Sequence, residues 1–594
     1  MTVEIINFQK AVEKAFKGAW QLPNFQRDLK WKVKQNILLF DSLRTNYPVG
    51  TFLSAEEGSL KSFRPFKFSI EEKKQDKVDR LLLDGQQRLT AGIQLFYSDK
   101  NAKSQKTFYF IDLNKLEQLL EDYKANTKHF DISDDEHIEE FGEELDADSG
   151  YLIHRSNVKN PNHLFLKKGF VCTALLRKNN ESSWDTHKTE YLSKYPDKKR
   201  LIEIFTILFR GKDFDPQVPN IVVDSKDPKV LTRIFSTLNN TGTSLTPFEI
   251  TVSEMYGQGV DLREEIDAQK NGKLFYQKID KDSCMILQMC LLLSGTKVSH
   301  KKTNLPKTMT RVIWDNNKTA AIESIEKMAK FLSEHMGLGL ELNANYIPYD
   351  TALLPLAHLF SNYDQTELDS KTTTIFHKIV KMYFVTSALK LHYTEGATAK
   401  QSSDKDTLIE AVNKKDTALV KNIFNDKPFS GLEGVTLSGA KGRVLLCIQN
   451  AENLKDVLTG ENVTLSKNHE IHHIFPKKMF KDWKTSNISQ NHIANLMITD
   501  PDTNNDFSGS DPREHVKMAA SKNGNFKACY NSHFINEKAL EILEKDNKTL
   551  EDYYRFINLR SQDLIRHIEN VYEVQMSAVL NNEEAEIDPE EAAD

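Results

Sequence analysis

The chain has 594 residues, 39% of them hydrophobic and 28% charged, with a formal net charge of −6. That length suits about three or four domains of ordinary soluble composition. No apolar run approaches the ~18 residues of a membrane span, and the opening MTVEIINFQKAVEKAF does not read as a signal peptide. The negative balance excludes attraction of nucleic acid by the protein as a whole, so any such contact needs a local basic patch. The five cysteines (Cys172, Cys284, Cys290, Cys447, Cys529) are scattered and form no CxxC, which points to a reducing cytoplasm and away from a zinc ribbon.

Residues 1 to 260 read as mixed α and β. Val33, Ile37, Phe40 and Leu43 mark one helical face after Pro23–Arg27. Arg80 to Leu83 is a short apolar strand, Asp84-Gly85 a tight turn, and Leu89, Ile93 and Phe96 the face of the next helix. Residues 131–148 carry ten acidic side chains and read as a solvated insertion or loop, with a DNA-mimicking flap as the alternative. A helix over 229–238 ends at Asn239-Asn240-Thr241-Gly242. The next begins with Thr246 as N-cap, Pro247 in first position and Glu249 completing a capping box. From 260 to 455 the pattern is mainly helical, with Ile375, Ile379, Met382, Val385 and Leu389 as a core-packing stripe and a polar break from Gly396 to Asp406. Leu550, Tyr553, Tyr554 and Ile557 mark a C-terminal helix. The last twelve residues, seven of them acidic, read as a disordered tail.

The turn Leu83-Asp84-Gly85-Gln86-Gln87-Arg88-Leu89-Thr90 sits where a strand becomes a helix. Backbone N–H groups there suit a phosphate, Arg88 adds an anion clamp, and Asp84 suits a metal or a water. A purely structural turn is the competing reading. NFQR-x3-W around Arg27 and Trp31, Gly50, and LNNTG-x-SLTPFE around Asn239, Gly242 and Glu249 accompany it. Together these segments, across residues 10–255, resemble the N-terminal domain of the GmrSD-type modification-dependent restriction enzymes, which is similar to the ParB/sulfiredoxin-like fold. The resemblance implies that Arg27, Asp84, Gln86, Gln87 and Arg88 line a pocket for a nucleoside triphosphate, ATP or GTP. No Walker A loop is present.

His469-Glu470-Ile471-His472-His473-Ile474-Phe475-Pro476-Lys477-Lys478 carries the other constellation. In an extended segment adjacent side chains point to opposite faces, so one imidazole can bind a metal while the other faces a water. Asn495 stands downstream, then Asp500-Pro501, which starts a short helix bearing Asn504. Asp511-Pro512-Arg513-Glu514 repeats the capping logic. The order reads as an HNH, or ββα-metal, site: His473 as base for water, His472 and Asn504 as ligands of a divalent ion, Asn495 bonded across the loop between the strands. HHIFPK, IANLMITD, TNND and FSGSDP resemble the HNH half of the same GmrSD-type enzymes over about 80 residues. Many such sites carry Asp or Glu where His472 stands. Imidazole suits Mg²⁺ poorly, so Mn²⁺ or Ni²⁺ is expected beside Mg²⁺. Two other readings stay open: a structural zinc site of His469, His472, His473 and His492, and histidines without a shared role. Lys477, Lys478, Lys481 and Lys484 read either as a solvated face or as contacts to the DNA backbone.

The expected fold is α+β and multidomain. Residues 1–258 form the ParB/sulfiredoxin-like nucleotide-binding domain, 259–455 a helical domain, 456–580 the HNH nuclease with C-terminal helices, and 581–594 the acidic tail. The expected function is a cytoplasmic, nucleotide-regulated, metal-dependent endonuclease of antiphage defence that acts on phage or modified DNA, with no membrane partner and with room for a homo-oligomer. The rival is a nucleotide-dependent DNA-binding regulator whose HNH fold no longer cuts. An RNA-directed toxin is a third reading, but attack by external water needs no 2′-OH, so DNA is the default.

Overall fold

The computed structural model describes residues 2–574 except 28, 59–62, 71–75, 99–106, 159–160, 162, 178–179, 211–215, 239–244, 296–298, 340–341, 365–366, 426–428, 430, 464–468 and 484–489. The expected breaks at Asn239 and Gly242, Lys484 and the acidic tail lie outside the described residues. The architecture is α+β, and the chain forms two compact units, Met1–Glu265 and Ile266–Asp594. The helical segment and the histidine-bearing segment lie together in the second.

The first unit holds nine described strands: β1 (Thr2–Asn7), β2 (Trp20–Pro23), β3 (Phe52–Glu56), β4 (Phe63–Arg64), β5 (Arg80–Asp84), β6 (Thr107–Asp112), β7 (Leu152–Ser156), β8 (Phe170–Cys172) and β9 (Gln217–Val223). A six-stranded mixed sheet runs in the order β1-β9-β3-β5-β2-β4, with β3/β9 and β2/β5 parallel. The second sheet, β7-β6-β8, is antiparallel. Leu81, Leu82 and Leu83 of β5 are all buried, which is why that strand reads as an unbroken apolar run. It delivers the chain into the helix Gln86–Phe96.

The acidic stretch 131–148 is not a solvated loop. It contains the helix Asp135–Glu144, capped by Asp134, with Ile138 and Phe141 buried in the core. Those two apolar residues, three apart, give the charged helix an inner face. The buried Arg44 donates to the carbonyls of Gly142 and Leu145, at the end of the helix where the dipole favours a cation. Thr246 caps the helix Pro247–Gly257 through the reciprocal pair Glu249 N→Thr246 Oγ1 (3.2 Å) and Thr246 N→Glu249 Oε2 (2.8 Å).

The second unit is helical through Ala451 and includes the long helices Arg311–His335 and Ser370–Leu389. The polar stretch from Gly396 is not a break but the start of the helix Ala397–Lys414. On its buried face Asp404 joins a polar network, accepting from Tyr383 (2.8 Å), Tyr393 (2.8 Å) and His392 Nε2 (2.9 Å). Beyond it, β10 (Glu470–His473) pairs antiparallel with β11 (Leu496–Thr499). The helices Pro501–Phe507, Pro512–Lys522 and Leu550–Tyr572 follow, around a core that includes Phe475, Phe480, Phe507, Val516 and Phe556. Among the described residues no helix is long and apolar enough to cross a membrane.

Candidate functional site

The ribbon β10/β11 pairs His472 with Met497 and His473 with Leu496. Its pleat sends His472 and His473 to opposite faces. On one face, Ile471 packs with Leu446, Leu454 and Ile498, and His473 lines a cleft of about 470 Å³. The other walls of the cleft are Asn345 and Tyr346, the segment Thr436–Ser438, Arg443, and Asn491. His473 Nε2 lies 2.8 Å from Asn491 Oδ1. A carbonyl oxygen can only accept, so Nε2 carries the hydrogen of this bond.

On the other face, His472 is buried, and its Nδ1 lies 2.9 Å from Asn504 Oδ1. Burial pushes the His472 imidazole down to about 4, so it is neutral at neutral pH. Two atoms bound at about 2.0–2.1 Å to adjacent positions of an octahedral ion stand about 2.9 Å apart. In this structure the pair is a hydrogen bond that Nδ1 donates to Oδ1; its separation also equals that of two adjacent ligands, so a small divalent cation could replace the shared hydrogen once the ring proton moves to Nε2. Behind it stands a residue the sequence reading passed over. The buried His515 on Pro512–Lys522 lies with its ring centroid 5.1 Å from that of His472, edge to face, and stacks on Phe507 at 4.2 Å. Burial lowers it to about 3, and its ring donates to the Phe507 carbonyl. The Nε2 atoms of both His472 and His515 are buried without a hydrogen-bond partner among the described residues.

Three fully buried side chains set this geometry. Asn495 accepts from Phe475 N (2.8 Å) and donates to Phe475 O (3.1 Å) and Gln490 O (3.0 Å), stapling the two ends of the loop that joins the strands. The ring partner of His473 is thus Asn491, while Asn495 acts on the backbone two residues further on. Asp456 accepts from Asp500 N (3.1 Å) and Thr503 Oγ1 (2.8 Å) and fixes the start of the helix that carries Asn504. Arg560 donates to the carbonyls of Ala494 (2.8 Å), Leu496 (2.6 Å) and His533 (2.9 Å) and to Gln449 Oε1 (2.8 Å). Burial lowers its guanidinium to about 9. The sequence shows Arg560 only as one more charge on an amphipathic helix.

The four histidines of the zinc alternative do not converge. His469 bonds to the Tyr346 hydroxyl (2.9 Å), and His492 to the Leu432 carbonyl (3.0 Å) and Ala494 N (3.1 Å). Among the described residues no group of three or more His, Cys, Asp or Glu side chains is placed to hold a metal. Lys477, Lys478 and Lys481 are exposed on the helix Lys477–Asp482.

In the first unit, Gly85 takes φ +105° at the turn, and a Cβ there would meet Phe52 Cδ1 at 2.4 Å, so no other residue fits. Arg88 donates to Val49 O (2.6 Å), Thr51 O (2.7 Å) and Asp84 Oδ2 (2.9 Å). It ties the turn to the loop before β3, where a Cβ on Gly50 (φ +85°) would strike Arg88 Nη1 at 2.5 Å. Gln86 Nε2 donates to Arg27 O (2.6 Å), and Gln87 Oε1 accepts from Lys30 N (2.8 Å) and Trp31 N (3.0 Å). Arg27, Asp84, Gln86, Gln87 and Arg88 are thereby gathered at one place, and each of Gln86, Gln87 and Arg88 is also spent on holding the surrounding loops.

Residues 8–256 match the family model described as the GmrSD restriction endonuclease, N-terminal domain. Over nearly its whole length the chain is similar to an uncharacterized protein of Methanocaldococcus jannaschii, 26% identical across 609 residues that cover 95% of this chain and 98% of that relative.

Proposed function

We propose that this protein is a restriction-type DNA endonuclease that cuts at the β10/β11 ribbon and binds a nucleoside triphosphate in its N-terminal unit. The match of residues 8–256 to the GmrSD restriction endonuclease N-terminal domain supports the restriction role. The single observation that carries the cutting site is the 2.9 Å approach of His472 Nδ1 to Asn504 Oδ1 beside a histidine that opens on a cleft. In this reading His473 Nδ1 takes a proton from water, and the bond to Asn491 holds its ring in the required tautomer. His472 and Asn504 would hold a divalent cation, Mg²⁺, Mn²⁺ or Ni²⁺, which would supply positive charge at the leaving 3′ oxygen. The neutral imidazole of His472 has one lone pair, and a cation at the Nδ1/Oδ1 pair would take the place of the hydrogen that Nδ1 donates there. Lys477, Lys478 and Lys481 contact the DNA backbone. The gathering of Arg27, Asp84, Gln86, Gln87 and Arg88 around a helix start supports ATP or GTP recognition at the turn.

The test incubates the full chain with unmodified, glucosylated and phosphorothioated DNA, with and without ATP or GTP, in Mg²⁺ or Mn²⁺. His473→Ala should lower the cleavage rate by about 10²–10⁴, the usual cost of losing a general base. Near-parental cutting by the folded variant removes His473 from the chemistry. Absence of cutting by the parent on every DNA, with DNA binding intact, turns the protein into a binding regulator.

A further inference from the structure

The cleft that holds His473 shares two wall residues with a neighbouring cavity. Asn345 and Arg443 line it and also line a second, larger cavity of about 630 Å³ in the same unit. That cavity lies among helical elements that the nuclease reading leaves without a role. Its cationic lining residues are Lys281, Lys301, Lys302 and Arg443, and its carboxylates are Asp280, Asp282 and Asp350. Two of the three carboxylates are engaged within the protein. Asp280 is buried and accepts from Met285 N (3.1 Å), Ile286 N (2.9 Å) and the Tyr276 hydroxyl (3.1 Å). Asp282 is paired with Lys302 at 2.7 Å. Lys281, Lys301 and Arg443 have no carboxylate within ion-pair distance among the described residues; with Lys302 paired to Asp282, these three cations face two carboxylates, Asp280 and Asp350, so the lining is positive by one charge.

Arg443 is the hinge of this arrangement. It sits on the first turn of the helix Ala440–Ala451, half-buried, and its guanidinium is anchored by two backbone carbonyls, Ile347 O (3.3 Å) and Ser438 O (3.2 Å). Those bonds orient the fork without neutralising it. An oriented, uncompensated guanidinium on the wall of the cleft that contains the base is a ready partner for a phosphate oxygen.

We infer that Arg443 binds a backbone phosphate next to the one being cut, and that the cavity beyond it, with Lys281 and Lys301 at its rim, takes the continuing nucleic-acid strand. This rests on the endonuclease reading of His473 and adds a second wall to it, opposite in the chain to Lys477, Lys478 and Lys481. The cavity accounts for strand binding by a protein of net charge −6, because the attraction is confined to one groove.

The experiment measures binding of a fluorescein-labelled 20-nucleotide single strand and of its duplex by the full chain in EDTA, where no cutting occurs, across a salt series. Each lost phosphate contact should reduce the slope of log K against log salt by about 0.7 for the single strand and about 0.9 for the duplex. Arg443→Ala should show one such step, Arg443→Lys a smaller change, and the double change Lys281→Ala with Lys301→Ala a step near twice as large. The two lysines are exposed, so that variant keeps the test free of folding defects. Mn²⁺ affinity by calorimetry should match the parent in every variant. Parental affinity and slope in both Arg443→Ala and the double-lysine variant overturn the inference. If the parent never cuts but these variants still lose slope, the strand path stands and the endonuclease reading falls. If the parent cuts and the variants bind and cut as it does, the reverse holds.

Discussion

Asn495→Ala is the sharpest mechanical test of the candidate centre. The side chain is fully buried and makes three hydrogen bonds, two of them to the backbone of Phe475. A typical net contribution is about 1 kcal/mol each, and leaving the buried Phe475 N–H without an acceptor raises the cost of that one. The sum is about 3 kcal/mol, local to the loop between β10 and β11. Native-state hydrogen exchange reads it directly: the Ile474 and Phe475 amides should exchange roughly a hundredfold faster, while the helix Arg311–His335 is unaffected. Asn495→Asp should rescue little, because a carboxylate accepts from Phe475 N but cannot donate to the carbonyls of Phe475 and Gln490. Mn²⁺ affinity should weaken in both variants, since the staple fixes the strand that presents His472. Unchanged exchange at Ile474 and Phe475 would refute the staple, and unchanged metal affinity its link to the ligand.

His472→Asp should shift the ratio of cleavage rates in Mg²⁺ and Mn²⁺ toward Mg²⁺, because a carboxylate oxygen is the harder ligand. An unchanged ratio means that His472 does not touch the metal. Arg88→Ala should speed amide exchange across residues 49–52, through loss of its bonds to Val49 and Thr51, and should remove ATP or GTP binding and the effect of nucleotide on cutting while sparing Mn²⁺ affinity. Persistent nucleotide control in a variant that binds none would exclude the turn as the regulatory pocket. Stability should fall as the pH drops below about 6.5. His358, His472 and His533 are pushed down to about 4 by burial and His515 to about 3, so the unfolded chain takes up protons before the folded one through that window, at roughly 1.4 kcal/mol per pH unit for each group. Asp280, raised to about 6 by burial, opposes them as one group against four, so a melting temperature that rises between pH 7 and pH 5 would contradict the sign.

What was legible in the sequence was local. The capping box of Thr246 and Glu249, the strand that turns at Asp84-Gly85, and the helix starts at Pro501 and Pro512 need only neighbours three or four residues away. What was not legible depends on distant partners. The acidic helix Asp135–Glu144 is held from within by Arg44, and the polar start of Ala397–Lys414 by tyrosines that precede it in the chain. Charge counts cannot distinguish such faces from solvated ones. Asn491 and His515 were missed for a related reason. A polar residue before an apolar strand, or a histidine in a capped amphipathic helix, becomes informative only when the fold sets it against His473 or His472.

The placement of the buried Arg560 has a physical logic of its own. A ribbon of four residue pairs is too short to fix its own register. A slip by one residue would exchange the faces of His472 and His473 and send the ligand into the cleft and the base into the core. The apolar residues do not prevent this strongly, because all of Leu496–Thr499 is buried and either face of β11 tolerates packing. The register has to be set by polar groups that recognise individual carbonyls. Asn495 does so at Phe475, and Arg560 at Ala494 and Leu496, on either side of Asn495 itself. Burying a guanidinium is costly, and apolar packing would often serve stability as well. Its use here is explained by what packing cannot supply: a fixed position for the residues on either side of Asn495 where the chain enters β11, and hence for which histidine faces Asn504.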